Sequence, residues 1–258
     1  MQNEIVKSSF SGKLLEILDR VEYRRVESQE DMEEVARMRY RAYKLANILT
    51  LNEARLIDPV DFDDHAYIFG VYFEERLIST VRIHHVTPEH RVSITRDMYP
   101  KEIDAFLDSG MTLIDPVRFA ADPEIIGEMP ALPYLTLRIA SMAADYFDAD
   151  RVLQLVSPQH APFYKRVFYA DTVVPAQDGV GKYNIPLTLM ATRTREVRAA
   201  LYARFPFFVS QPHERRMMFR RADGIGSSPL TILPTARMAA AAQAASQAAA
   251  QGIFPGTV

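Results

Sequence analysis

Residues 112–124 read TLIDPVRFAADPE, and this run limits the fold more than any other part of the chain. Residues 112–120 alternate as a half-buried strand does, with Leu113, Asp115, Val117 and Phe119 on one face and Ile114, Pro116 and Arg118 on the other. A carboxylate, a proline and an arginine are out of place in the middle of an inert strand. Pro116 lacks the N–H that a ladder needs, which predicts an edge or a bulge. A bulge beside charged side chains turns polar groups toward a ligand. The run is therefore read as the place where two halves of a sheet part and a substrate enters. The competing reading is an edge strand with an exposed Asp115–Arg118 pair.

The chain has 258 residues, enough for one large domain with a sizeable core, and its net charge of −3 gives no reason to expect nucleic acid. Having no cysteine, it can form no disulfide, thiolate metal site or cysteine nucleophile. Residues 1–10 are polar and do not resemble a signal sequence. No apolar run reaches the roughly 18 residues of a membrane span. A cytoplasmic protein without an integral membrane segment is expected.

Along the chain, residues 21–27 alternate as a first strand, and Ser28 opens a helix whose apolar face is Met32, Val35, Met38, Ala42 and Leu45. Arg39 and Tyr43 lie four apart, on one side of it. Residues 47–64 form a long acidic loop with Glu53, Asp58, Asp61, Asp63 and Asp64, and long loops in compact domains often carry function. Residues 67–73 and 77–86 read as a hairpin, and residues 88–110 as a helical insertion. A helix over 133–147, a strand over 151–156, a short helix over 158–168 and a last strand over 183–191 complete an α/β mixed sheet with helices on both faces. Residues 193–221 hold eight arginines against two glutamates, a local basic patch suited to an acidic partner. A single domain is expected over residues 1–221. Beyond it, 222–258 reads as an alanine-rich tail, helical or disordered, with nothing to bury.

The chemistry is first defined by what is missing. There is no GxGxxG, GxxxxGK[ST], GxSxG or HExxH motif. Histidines 65, 84, 85, 90, 160 and 213 show no metal-ligand spacing, His84 and His85 point to opposite faces of one strand, and no metal is expected. Carboxylates, arginines and tyrosines remain, a set suited to direct transfer between two substrates.

These residues resemble a known family. The element order is similar to the GNAT acyltransferase fold, whose splayed central strand pair holds the pantetheine arm of an acyl donor. Residues 112–120 resemble its first splayed strand and 151–156 its second. HAPFYKRVFY, from His160, resembles the helix that follows, with Tyr164 at the position of the general acid. The turn that binds coenzyme A pyrophosphate in that family is missing from residues 121–132, ADPEIIGEMPAL, which points away from acyl-CoA as donor. The branch without this turn comprises the acyl-homoserine-lactone synthases and the FeeM-like N-acyl amino acid synthases, which take acyl chains from acyl carrier protein. Arg39-x-x-x-Tyr43 resembles their helix motif, Asp61-x-x-Asp64 before Tyr67 their paired acids, Arg82 their strand arginine, and Asp115-x-x-Arg118-Phe119-Ala120 their Glu-x-x-Arg-Phe motif. The chain has no tryptophan, and Asp115 replaces the usual glutamate, which points away from lactone synthesis.

The resemblance implies an N-acyltransferase. It would move a long-chain fatty acyl group from the phosphopantetheine thioester of acyl carrier protein to the amine of a free amino acid, with no bound cofactor. Its catalytic residues would be Asp115 as first choice of base, Asp61 as second, Arg118 and Tyr164. Arg39, Tyr43, Asp64, Arg82, Phe119, Ala120 and Phe163 would bind substrate, and Arg215 and Arg216 would dock the carrier protein. A lactone synthase and a catalytically inactive lipid- or protein-binding module are the alternatives.

Overall fold

The computed structural model describes residues 9–50, 55–221 and 231–251; Glu53 of the acidic loop, and residues 222–230 and 252–258 of the expected tail, lie outside them. The chain opens with helix α1 (Phe10–Leu18), strand β1 (Val21–Arg25) and helix α2 (Gln29–Leu45). Ser28 caps α2 as expected, its Oγ accepting from the backbone N–H of Asp31 at 3.0 Å. Strands β2 (Ala66–Phe73) and β3 (Arg76–Val86) make the hairpin. Glu74 and Glu75 at its turn have φ of 49° and 65°, the left-handed conformation that a tight hairpin turn requires. Helices α3 (Ile94–Met98) and α4 (Pro100–Asp108) fill the insertion, followed by β4 (Leu113–Ala121), α5 (Leu132–Tyr146), β5 (Arg151–Val156) and α6 (Ala161–Phe168). Strands β6 (Asp171–Gln177) and β7 (Leu187–Arg193), helices α7 (Thr194–Arg204) and α8 (Pro212–Phe219), strand β8 (Thr231–Ile232) and helix α9 (Ala236–Ala250) complete the described chain.

The strands form one sheet in the order β6-β7-β5-β4-β3-β2-β1-β8. Neighbours are antiparallel except β4 and β5, which run parallel and pair only at Leu113–Arg151 and Ile114–Val152. Beyond Ile114 the two strands part, as the sequence predicts. Strand β4 is therefore central and not an edge. Pro116 falls just past the last residue paired with β5, so its missing N–H takes nothing from that ladder. The bulge lies two residues further on. Thr80 pairs with Ala120 and Arg82 with Val117, leaving Arg118 and Phe119 opposite Val81 alone. Arg118 absorbs the extra residue with φ of 55°, a conformation costing roughly 1–2 kcal/mol for a residue with a side chain.

Helices cover both faces. Met32, Val35 and Met38 of α2 pack on Ile68, Tyr72 and Leu77. On the other face Leu135, Ile139 and Met142 of α5 pack on Phe69, Val81, Ile83 and Ile114. Among the described residues no helix is long and apolar enough to cross a membrane.

The structure differs from the sequence expectations in three places. The last long strand starts at Leu187, not at residue 183; Tyr183 makes only an isolated bridge to Leu49. Strand β6 gives no sequence signal, because it is an edge with Pro175 in it and only Val174 buried. The alanine-rich segment is helical over Ala236–Ala250 but does have something to bury: Ala236 and Ala239 are sealed against the body of the protein, and β8 before it pairs with β1.

A buried ion pair ties the last helices to the sheet's cover. Arg138 of α5 is fully buried and bonds both oxygens of Glu214 on α8, at 2.6 and 3.0 Å. The same carboxylate accepts from the hydroxyl of Thr235, at the start of α9. Glu214→Ala leaves the guanidinium buried without a counter-charge and should lower stability by about 3–5 kcal/mol in urea unfolding. The double variant Arg138→Met with Glu214→Leu should lose much less.

Candidate active site

Where β4 and β5 part, a cavity of about 880 Å3 passes through the sheet. Pro116–Ala121 of β4 form one wall and Val152–Val156 of β5 the other. Leu137, Ala140 and Ala144 of α5, with Phe163, Tyr164 and Phe168 of α6, extend the lining as a mostly apolar surface. Polar groups gather on its two sides. From α5 and α7 come Asp145, Arg198 and Tyr202, bonded to one another through Asp145. From the α2 side come Tyr43, Arg118 and Tyr183.

Behind Arg118 stands a chain of buried charges. Arg39 of α2 bonds both oxygens of Asp61, at 2.9 and 3.0 Å. Arg82 of β3 donates to the same carboxylate at 2.7 Å and reaches Asp58 at 3.4 Å. Arg118 grips Asp58 through Nε and Nη2, the latter at 2.8 Å, and its Nη1 reaches the Tyr183 hydroxyl at 3.3 Å. Its guanidinium carbon lies 5.8 Å from the centre of the Tyr43 ring. Local sequence shapes the loop that supplies these acids. Asp58-Pro59-Val60-Asp61 starts a 3-10 turn, and Asp61 accepts from the Asp58 backbone N–H at 2.7 Å.

Three guanidiniums thus share two carboxylates. Nε and Nη2 of both Arg39 and Arg82 are buried and find no partner among the described residues. Burial alone would raise Asp58, but its bonds to Arg118, and the charges of Arg118, Arg82 and Arg39, hold it below the usual carboxylate range. Burial works against the charge on Arg118, yet the bonds to Asp58 strengthen it. Arg39 is lowered by burial, with Asp61 opposing. On the cavity's far wall burial raises Tyr164 above the ordinary phenol range.

The structure therefore brings together Arg39, Asp61, Arg82, Arg118 and Tyr43, and sets Phe119, Ala120, Phe163 and Tyr164 in the cavity wall. It does not bring Asp115 there. Asp115 lies on the same face as Arg82 but opposite His84, beneath α3, where its oxygens accept from Ser93 and, at 2.7 Å, from Thr95. The bulge brings Arg118 to the α2 face, where it pairs with Asp58 and not with Asp115, whose oxygens are taken up by Ser93 and Thr95. Asp61 is likewise sealed behind Arg39 and Arg82 and does not line the cavity. Asp64, with its side chain 95% exposed, faces solvent near Arg221. Asp58 and Tyr183 are site residues that sequence reasoning misses. Their one sequence signal is the Asp-Pro-x-Asp turn, since the pairing with Arg118 spans 60 and 65 residues.

The sheet, its parted central strands and the cavity between them are a fold shared with acyltransferases, and the family match makes the chain an acyltransferase. Residues 34–193, more than half of the chain, match the family of the N-acyl amino acid synthase FeeM, and the chain belongs to that family. Among solved structures it is similar to FeeM, an N-acyl amino acid synthase from uncultured soil microbes, at 20% identity and TM-score 0.59, covering 72% of this chain and 98% of that one. It is also similar in fold to the acyl-homoserine-lactone synthase LasI, at 12% identity and TM-score 0.50, covering 71% and 94%. A third similar fold is the coenzyme A-dependent lactone synthase BjaI, at 14% identity and TM-score 0.50, covering 69% and 82%. No curated protein matches the chain in sequence.

Because Asp58 is depressed in the folded state, its contribution to stability is present above its ordinary value of 3.8 and is lost as pH falls below that value. Asp58→Asn should lower stability at pH 7 by about 1–3 kcal/mol. It should also flatten the fall in stability between pH 5 and pH 3, measured by urea unfolding across that range.

Proposed function

We propose that the protein transfers a long-chain fatty acyl group from the thioester of acyl carrier protein to the amine of a free amino acid, giving an N-acyl amino acid. The observation that carries this reading is an apolar cavity, opened by the parted strands, with Arg118 and its charged cluster at its α2 side. The acyl chain lies among the apolar residues, each buried methylene contributing about 0.8 kcal/mol. Arg118, backed by the spare donors of Arg39 and Arg82, favours the amino acid's carboxylate.

The amine attacks the thioester carbonyl. Backbone N–H groups of β4 around Phe119 and Ala120, released from pairing with β5, polarise that carbonyl. Tyr164, in the cavity wall, is the hydroxyl placed to give its proton to the leaving thiolate. The ammonium proton leaves to solvent at the open end of the cavity before attack, while Asp58, kept ionised by Arg118, holds that guanidinium in position. Asp115 and Asp61 serve as fixed negative charges that hold β3, β4 and α2 in place.

Support for the carrier protein as donor comes from residues 121–132. Asp122, Glu124 and Glu128 occupy the place where a pyrophosphate turn would stand, and Pro133 removes an N–H from the first turn of α5. For docking, Arg216 is exposed, while Arg215 bonds Ser210.

The test is incubation of the purified protein with acyl carrier protein or coenzyme A thioesters of several chain lengths and a mixture of amino acids, with products read by mass spectrometry. The expected product is an N-acyl amino acid formed from the carrier-protein thioester. A lactone formed with S-adenosylmethionine instead assigns an autoinducer synthase, and acyl binding without product assigns an inactive module. Arg118→Ala should raise KM for the amino acid and cut kcat/KM by about 100-fold, and Tyr164→Phe should lower kcat by about 10²-fold or more. Reversing charge at Arg215 and Arg216 should raise KM for the carrier-protein thioester alone.

A further inference from the structure

Four of the six histidines gather at the end of the β2–β3 pair, away from the cavity: His65 stacks on His90 with ring centres 3.9 Å apart, and on His85 at 5.7 Å. The centre of the group is Asp63. Its Oδ1 lies 2.9 Å from Nε2 of His84 and 2.8 Å from Nε2 of His90, and its Oδ2 lies 3.1 Å from the latter. One ligand atom from each of the three residues falls within 4.8 Å of the others.

We propose that Asp63, His84 and His90 bind a first-row divalent cation, with zinc as the best fit. Two imidazoles and one carboxylate are a donor set that suits zinc, with bonds of about 2.0–2.2 Å and a fourth position left to water. On a tetrahedron of that size neighbouring ligand atoms stand about 3.3 Å apart. The carboxylate and ring nitrogens already lie a few tenths of an ångström inside that spacing, so a small opening admits the ion. The trio is held in place from outside. The backbone N–H of His65 bonds Asp63 Oδ1 at 2.8 Å, and the His65 ring lies against His90. His84 is fully buried and turns Nε2 to Asp63; its Nδ1, without a partner among the described residues, would carry the ring proton when Nε2 holds the ion. Asp63 and His90, with side chains 16% and 28% exposed, leave a path for the ion from solvent.

The charges around the trio agree. Asp115 stands opposite His84 across the β3–β4 pair and adds a negative charge. Arg82, two residues away on the same face, is engaged with Asp61 and Asp58. Arg221 points to the carbonyls of Asp63 and Ala66 and not to the ligand atoms. Spacing along the chain hides the trio, because a loop, a strand and the turn after it supply one residue each.

None of the three lines the cavity, so the ion is a clasp and takes no part in transfer. It pins Asp63 to β3, two residues from Asp61 and five from Asp58, and so fixes the loop whose carboxylates hold Arg39, Arg82 and Arg118.

The tag-free chain, stripped with a chelator, is titrated with zinc by calorimetry and with cobalt by visible absorption, and its thermal midpoint is followed. One ion per chain, tetrahedral cobalt bands and a midpoint rising with zinc are expected. His90→Ala and Asp63→Asn should each weaken binding at least about tenfold and remove the thermal shift. His213→Ala, on the exposed surface of α8, should change neither. No stoichiometric uptake by the wild-type chain, or uptake undiminished in both ligand variants, overturns the site. Neither result bears on acyl transfer, which is not the readout.

Discussion

After Ile114 the two central strands stop exchanging hydrogen bonds, and the rest of the active region follows from that. A continuous sheet would have left no interior space between α2 and α5. The parted sheet yields a cavity lined by backbone as well as side chains, with strand N–H groups that have no partner strand. Pro116 marks the point of separation at no cost to the short ladder before it. The bulge at Arg118 then turns a long cationic side chain toward the loop between α2 and β2. A residue in left-handed backbone at such a place is strain kept for position, held by the fork of bonds to Asp58.

The arginine–aspartate chain is a poor way to gain stability. Buried ion pairs return little beyond the cost of dehydrating them, and an apolar core of similar volume would serve as well or better. Here the pairs are also unbalanced, with guanidinium donors left over. That surplus adds nothing to stability, because each spare donor is buried without an acceptor among the described residues. The same chain links four elements, so the position of Arg118 depends on a helix, a loop and two strands together.

Much of this is legible in the sequence where periodicity is strong. Helix α2 buries a stripe at helical spacing, while β2, β3, β4 and α5 are buried almost throughout and show as dense apolar runs. Strand β6 escapes because its side chains are mostly exposed, and β8 because two residues carry no period. At the site, the sequence singles out Arg39, Asp61, Arg82 and Arg118, but not how they pair. Alternation along β4 puts Asp115 and Arg118 on opposite faces; one bulged residue brings Arg118 to the α2 face, and the hydroxyls of Ser93 and Thr95 take up Asp115. Tyr183 has the sequence context of a strand, and only the folded loop brings its hydroxyl to Arg118.

The order of the strands has one more consequence. A wide sheet with open flanks invites a second chain to add itself as a further strand. On one flank β6 discourages this with Pro175 and with Asp171 joined to Arg193. On the other, β1 would present its bare backbone were it not for β8, which returns from far along the chain to cover Tyr23 and Arg24. A two-residue strand contributes almost nothing to the core, yet it shields the sheet from self-assembly, and the alanine-rich helix after it is the weight that keeps the shield in place.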